Sequence, residues 1–201
     1  MTLCIEDGSC TIPVKNTNWG VTAMIHGGKE LAHGFRTVRK NTIRVAEDIP
    51  EEHYGHVAAP GCRTVGQMLV HVALAADMRQ EMNGRLRLNT FVGYDFIGLI
   101  GRMQAEEAKA RTKAEIVELL RTQGEQFAAW LEGLTPEFLA ETVTQGDGKT
   151  MQPRYEFISS AKEHEMHHRG QLMLIERQIG VVPHLTREFE DRMAAMKAAK
   201  A

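Results

Sequence analysis

The sequence has few cysteines, little net charge and no long apolar run. Three cysteines in 201 residues, two of them at the far N-terminus, do not make a disulfide framework and favour a reducing compartment. The formal net charge of -2 gives no basic footprint for nucleic acid. No apolar run has the length of a membrane span, and the N-terminus lacks the order of a secretory signal. We therefore predict a cytoplasmic protein with no nucleic-acid or membrane partner.

The N-terminal segment differs from the rest of the chain. Residues 1–28 contain several glycines and a proline but no sustained hydrophobic period. They are predicted to be a non-helical extension, either flexible or a short pair of strands, followed by one domain over residues 29–201. A second hypothesis for this segment is that translation naturally starts at Met24.

Beyond the extension, apolar residues recur every three or four positions, which is the period of amphipathic helices. Thr64 is a suitable N-cap for the second helix, and Asn83 with Gly84 is expected to end it. Thr112 and Glu115 have the spacing of a capping box. Four long helices are predicted, over about residues 30–49, 64–83, 112–134 and 155–178.

Shorter elements are expected between and after the long helices. An aromatic, glycine-punctuated loop after residue 85 should lead into a short helix that ends near residue 110. The turn-rich residues 141–153 predict a hairpin or an irregular crossover, and a tail helix is expected over about residues 187–199. The fold class that follows is all-α, a four-helix bundle with short extra helices.

Three histidines occupy apolar stripes of two predicted helices. His164 and His168 are four residues apart and project from one helical face, and His71 holds a stripe position on the second helix. Buried imidazoles need partners for their ring nitrogens, through either core hydrogen bonds or a shared metal ion. Neutral imidazole suits Zn, Ni, Fe or Cu, and three protein ligands with an open position are typical of a catalytic site. We predict a divalent metal ion at these three residues.

The same stretch of the last helix permits another reading. His164, Glu165 and His168 fit H-E-x-x-H, the motif of zinc metallopeptidases in which the Glu is the general base. Glu188 or His184 would then supply the third ligand. No convincing strand precedes this helix to bind an extended substrate, so a zinc hydrolase is the less favoured alternative.

Two segments of the chain resemble one known family. Residues 164–172 read His-Glu-Met-His-His-Arg-Gly-Gln-Leu and closely resemble the last-helix signature H-x-x-x-H-R-G-Q of the DinB-like (YfiT-like) family. Residues 64–71 read Thr-Val-Gly-Gln-Met-Leu-Val-His and are similar to the family's second-helix element, which ends in a histidine ligand. Over about residues 30–187, the resemblance implies a four-helix bundle, a homodimer and a Zn or Ni site at His71, His164 and His168.

The resemblance leaves two functions open. Some members of the family are S-transferases or isomerases that use a low-molecular-weight thiol, which implies metal-dependent transfer to a small electrophile. A non-catalytic, metal-binding stress-response homodimer is the alternative. The candidates for a polar pocket beside the metal are Arg36, Gln67, Arg154 and His184.

The last helix also contains an interior glycine. Gly170 is disfavoured there by about 1 kcal/mol relative to Ala, which suggests close approach of another helix or of a dimer partner. Arg169 and Gln171 flank it and are predicted to support the histidines or to contact that partner.

Overall fold

The computed structural model describes residues 27–200. The predicted N-terminal extension and the hypothesis about Met24 lie outside these residues, except for Gly27 and Gly28, and helix α1 begins at Gly28. The elements are α1 (Gly28–Asp48), α2 (Val65–Gln80), α3 (Phe96–Glu107), α4 (Lys113–Glu132), α5 (Pro136–Ala140), β1 (Thr142–Thr144), β2 (Met151–Pro153), α6 (Arg154–Gln178) and α7 (His184–Ala198).

The bundle consists of α1, α2, α4 and α6. Helices α1 and α2 each pack against both α4 and α6. Helices α1 and α2 are therefore diagonal to each other in the bundle, although α2 follows α1 in the sequence. Each helix contributes fully buried side chains to one core cluster, among them Val45, Leu69, Leu120 and Leu172. The predicted all-α four-helix bundle is confirmed.

Side chains at the helix ends explain most of the predicted boundaries. The Thr64 hydroxyl accepts from the Gln67 backbone N–H at 3.1 Å, while the Gln67 side chain accepts from the Thr64 N–H at 3.0 Å. Thr112 and Glu115 form a second reciprocal pair at the start of α4. Gly180, with φ of 82°, follows α6 in the left-handed conformation that ends many helices.

The end of α2 differs from the prediction. The helix continues past Gln80 into a π-helical turn, Glu81–Arg85, instead of stopping at Asn83 and Gly84. A Cβ at Gly84 would lie 2.8 Å from Nε1 of Trp130, so this glycine allows α4 to pack against the turn. Of the two alternatives for residues 141–153, the structure has the hairpin, in which Val143 pairs with Gln152.

The tail helix α7 packs on the C-terminal end of α1. Nη2 of Arg187 lies 2.6 Å from Oδ2 of Asp48, and this ion pair joins the two helices. Within residues 27–200, no helix combines the length and the apolar character that crossing a bilayer requires. The cytoplasmic location stays a prediction.

Candidate metal centre

His71 on α2 faces His164 and His168 on α6. Nε2 of His71 lies 3.1 Å from Nε2 of His164. The ring centroids are 4.9 Å apart for His71 and His164, 5.0 Å for His71 and His168, and 4.6 Å for His164 and His168. One ligand nitrogen from each ring lies within 4.8 Å of the other two. The three predicted residues therefore converge, in a partly buried position between two bundle helices.

A buried carboxylate orients His71. Nδ1 of His71 lies 2.7 Å from Oε1 of Glu107, the last residue of α3, and Nε of Arg63 donates to Oε2 of Glu107 at 2.6 Å. When Nδ1–H donates to this carboxylate, Nε2 presents its lone pair to the other two histidines. Glu107 was not among the predicted site residues, because only the packing of α3 on α2 brings it to His71.

Gln171 contacts His168 on α6, in line with its predicted role of supporting the histidines. Its Oε1 lies 2.8 Å from Nδ1 of His168, which leaves Nε2 of His168 free to bind a metal ion. The Gln171 amide also contacts Nε2 of His167, which is exposed and outside the cluster. Arg169 lies across from α1, where its Nη1 donates to the carbonyl of Val38 at 3.4 Å.

Burial keeps the three imidazoles neutral. It lowers the pKa of His71 against the opposing effect of Glu107, and it lowers the pKa of His168 against that of Gln171. Burial, together with the nearby charge of Arg79, lowers the pKa of His164 to about 3. Metal binding requires unprotonated imidazole. Each imidazole thus offers a neutral ring nitrogen, and in His71 and His168 a hydrogen bond to Nδ1 fixes the orientation of the ring. The three nitrogens fit a divalent ion that prefers nitrogen ligands.

Glu165 points to α1 instead of joining the histidines. Its carboxylate is 1% exposed and accepts two hydrogen bonds from Arg39, Nε to Oε1 and Nη2 to Oε2, both at 2.9 Å. His184 and Glu188, the predicted third ligands of the metallopeptidase motif, are not among the converging residues. The geometry therefore provides neither the general base nor the ligand set of that motif.

The predicted pocket candidates lie elsewhere. Arg36 pairs with glutamates on the surface, and Gln67 caps α2. Arg154 is buried against Glu141, with Nη2 2.9 Å from Oε2. His184 is buried at the start of α7. None of the four hydrogen-bonds to the three histidines; among residues 27–200, the side chains outside the cluster that do are Glu107 and Gln171.

Known proteins share this architecture. The DinB superfamily matches residues 35–172. The protein YjoA of Bacillus subtilis (strain 168) is 23% identical over 153 residues, which are 75% of this chain and 90% of that protein. The crystal structure of that DinB-like protein superposes with a TM-score of 0.53 and covers 75% of this chain and 92% of that one.

Two further structures have the same fold at lower sequence identity. YfiT from Bacillus subtilis, described as a probable metal-dependent hydrolase with an unusual four-helix bundle topology, is 14% identical, with a TM-score of 0.63 over 81% of this chain and 92% of its own. A DinB-like protein from Bacillus cereus is 18% identical, with a TM-score of 0.59 over 77% and 94%. With a family match over most of its length and a three-histidine cluster in the bundle, the chain belongs to the DinB superfamily.

Proposed function

We propose that the protein binds Zn or Ni at His71, His164 and His168 and transfers a small thiol to an electrophile. The observation that carries the proposal is the convergence of three neutral imidazoles, which leaves coordination positions for a substrate. The His71 side chain is 15% exposed, so the cluster is not sealed from solvent. A bound divalent ion supplies Lewis acidity, which lowers the pKa of a thiol or water that reaches it.

The surrounding residues hold the ligands in place. Glu107 fixes the ring orientation of His71, and Arg63 fixes Glu107. Gln171 does the same for His168. Hydrogen bonds of this kind select the tautomer that presents Nε2 and strengthen it as a ligand. They support a site organised before the ion binds.

Hydrolysis is the second candidate, because YfiT is described as a probable metal-dependent hydrolase. A hydrolase of the H-E-x-x-H type needs its Glu beside the metal as general base. Here Arg39 binds both oxygens of Glu165, so the described residues favour transfer over hydrolysis of that type.

A non-catalytic role is the third candidate. A metal ion between His71 on α2 and the pair on α6 would tie two helices together, and this alone would stabilise the fold. Such a protein would bind metal and gain thermal stability without any thiol-dependent reaction.

We also propose a homodimer through the outer face of α6. Met166, Gly170 and Leu174 recur every four residues on this face, and the two apolar side chains are 45% and 60% exposed. A Cβ at Gly170 would meet no atom of residues 27–200 within 4 Å, so packing within this part of the chain does not require the glycine. Close approach of a second copy of the chain to this face would explain the glycine at position 170.

The test is a conjugation assay with cysteine as the thiol and chlorodinitrobenzene as the electrophile. Zn-loaded wild type should accelerate formation of the C–S bond with release of chloride, and chelated protein and His71→Ala should not. His33→Ala is the matched control, because His33 is exposed on α1. Equal rates with chelated and loaded protein would exclude the transferase. No acceleration, together with a higher melting temperature in Zn, would favour the non-catalytic role.

A further inference from the structure

Arg79 is a buried cation whose guanidinium contacts residues one helical turn from His71 and His164. It is 7% exposed. Its Nη1 donates to the Ala75 carbonyl at 2.9 Å, and its Nε donates to Oγ of Ser160 at 3.2 Å. Ala75 lies four residues after His71, and Ser160 lies four residues before His164, so the guanidinium occupies the layer next to these two rings. The positive charge of Arg79 lowers the pKa of His71 and of His164.

All hydrogen-bond partners of Arg79 are neutral. They are the carbonyls of Ala75 and Ser160 and the Ser160 hydroxyl. Nη1 carries two hydrogens, and within residues 27–200 only one of them has an acceptor. The guanidinium therefore has a free donor, and its charge faces the Phe157 ring, with 5.6 Å from Cζ to the ring centroid, but no anion among the described residues.

The other buried arginines of the described chain are neutralised. Arg39 binds Glu165, and Arg154 binds Glu141. Arg79 has no carboxylate within 4 Å among the described residues. A buried charge without a partner is strongly disfavoured. Among the buried arginines of the described chain, Arg79 is therefore the one that we expect to bind an anion.

The charges around the histidines point the same way. Glu107, the carboxylate that contacts His71, is already paired with Arg63. Arg79 therefore adds a positive charge that no carboxylate of residues 27–200 pairs with. A divalent ion on the histidines would add to this charge. An anionic ligand would compensate both.

We infer that the site takes a small substrate with a carboxylate group, which Arg79 binds. The planar guanidinium matches a carboxylate in shape and charge. The residues that the guanidinium contacts, Ala75 and Ser160, lie about one helical turn, or ~5 Å, along their helices from His71 and His164. This spacing suits a few-carbon acid whose far end reaches the histidines. The reaction of that far end rests on the proposed function, whereas binding of the carboxylate by Arg79 does not require the metal ion.

The test compares propionate with propionamide, which has the same shape but no charge. Each is titrated into ¹⁵N-labelled full-length protein, once chelated and once Zn-loaded, while the Arg79 Nε–Hε resonance is followed by NMR. Wild type should bind propionate about tenfold more tightly than propionamide, the range for one charge-assisted hydrogen bond. The preference should vanish in Arg79→Met and persist in part in Arg79→Lys. Arg36→Met, which alters a surface cation, should leave it unchanged.

Equal affinity for the two probes in wild type, or no detectable binding of propionate, would overturn the inference. Retention of the preference in a folded Arg79→Met protein would overturn it as well. If Arg79→Met does not fold, the two affinities are compared in Arg79→Lys, which keeps the charge. Failure to bind Zn would refute the proposed function alone, because the chelated sample still tests the carboxylate site.

Discussion

Arg39 and Glu165 form a buried bidentate ion pair that joins α1 to α6 beside the three clustered histidines. The Arg39 Nε lies 2.9 Å from Oε1 of Glu165, and both side chains are almost wholly buried. The same guanidinium donates to the carbonyl of Val72 at 3.4 Å and to that of Leu120 at 2.7 Å. It therefore contacts all four bundle helices, and two of its partners directly follow the ligand residues His71 and His164 in the sequence.

Glu165→Gln should destabilise the protein without removing its metal site. The change leaves Arg39 buried without an anion, which typically costs about 3–5 kcal/mol of folding free energy. Urea unfolding of metal-free protein measures this loss. Zn binding to the folded variant should persist. If Glu165→Gln kept wild-type stability and lost only activity, as expected for the general base of a metallopeptidase, Glu165 would not have the structural role proposed for it.

Glu107→Gln should weaken metal binding without abolishing it. The variant keeps a hydrogen-bond acceptor for His71 but loses the charge that makes the imidazole a stronger ligand, and loss of such partners typically lowers affinity by about 10–100-fold. Competition against a chromophoric chelator measures the affinity. Glu106→Gln is the control, because Glu106 pairs with Arg111 and Lys109 at the surface. An equal effect of both changes would refute the assigned role.

Glu176 should make stability depend on pH near neutrality. Both of its carboxylate oxygens are buried and have no hydrogen-bond partner among residues 27–200. Burial, aided by Asp48 and opposed by Arg187 and Arg177, raises its pKa from 4.5 to about 7. The folded state thus holds the proton more tightly than the unfolded chain. Its contribution to the free energy of unfolding is largest in acid, falls as the pH rises from about 4.5 to about 7, and is lost above that.

Glu176→Gln should remove this dependence. The variant should be more stable than wild type at about pH 8, and the difference should shrink towards about pH 5, where the wild-type carboxyl is protonated. Urea unfolding at a series of pH values measures it, and the other titrating groups cancel in the comparison. A stability difference that does not change with pH would contradict the buried, protonated state of Glu176.

Gly170→Ala should stabilise the monomer and weaken the proposed dimer. An interior Ala is favoured over Gly by about 1 kcal/mol, and the added methyl group meets no atom of the described residues within 4 Å. In a dimer packed on this face, the methyl group would push the two copies apart. Gly101→Ala on α3 is the control, since its Cβ position is equally open. Sedimentation analysis decides, and a dimer unaffected by Gly170→Ala would place the interface elsewhere.

The helices and the histidine convergence could be predicted because both depend on local periodicity. The spacing of His164 and His168 places both on one face of any helix, and the apolar stripe indicates which face is buried. The position of His71 on its own stripe then sufficed to place it in the same core. Short-range rules of this kind need no knowledge of the packing.

The supporting residues could not be predicted, because they depend on packing. Glu107 ends a short helix in a glycine-punctuated region, and nothing in its neighbourhood indicates burial. Arg39 and Glu165 have the sequence character of solvent-exposed residues. Their inward position depends on Gly124, where a Cβ would lie 2.7 Å from Cγ of Arg39. The missing side chain on α4 is what makes room for the arginine.

Metal analysis of untagged protein shows whether His71, His164 and His168 bind one divalent ion. After incubation with Zn and removal of excess metal, we expect about one ion per chain in wild type and in His33→Ala. We expect little or none in His71→Ala and His168→Ala. Metal-free wild type, or full loading of folded His71→Ala, would rule out an ion shared by these three histidines.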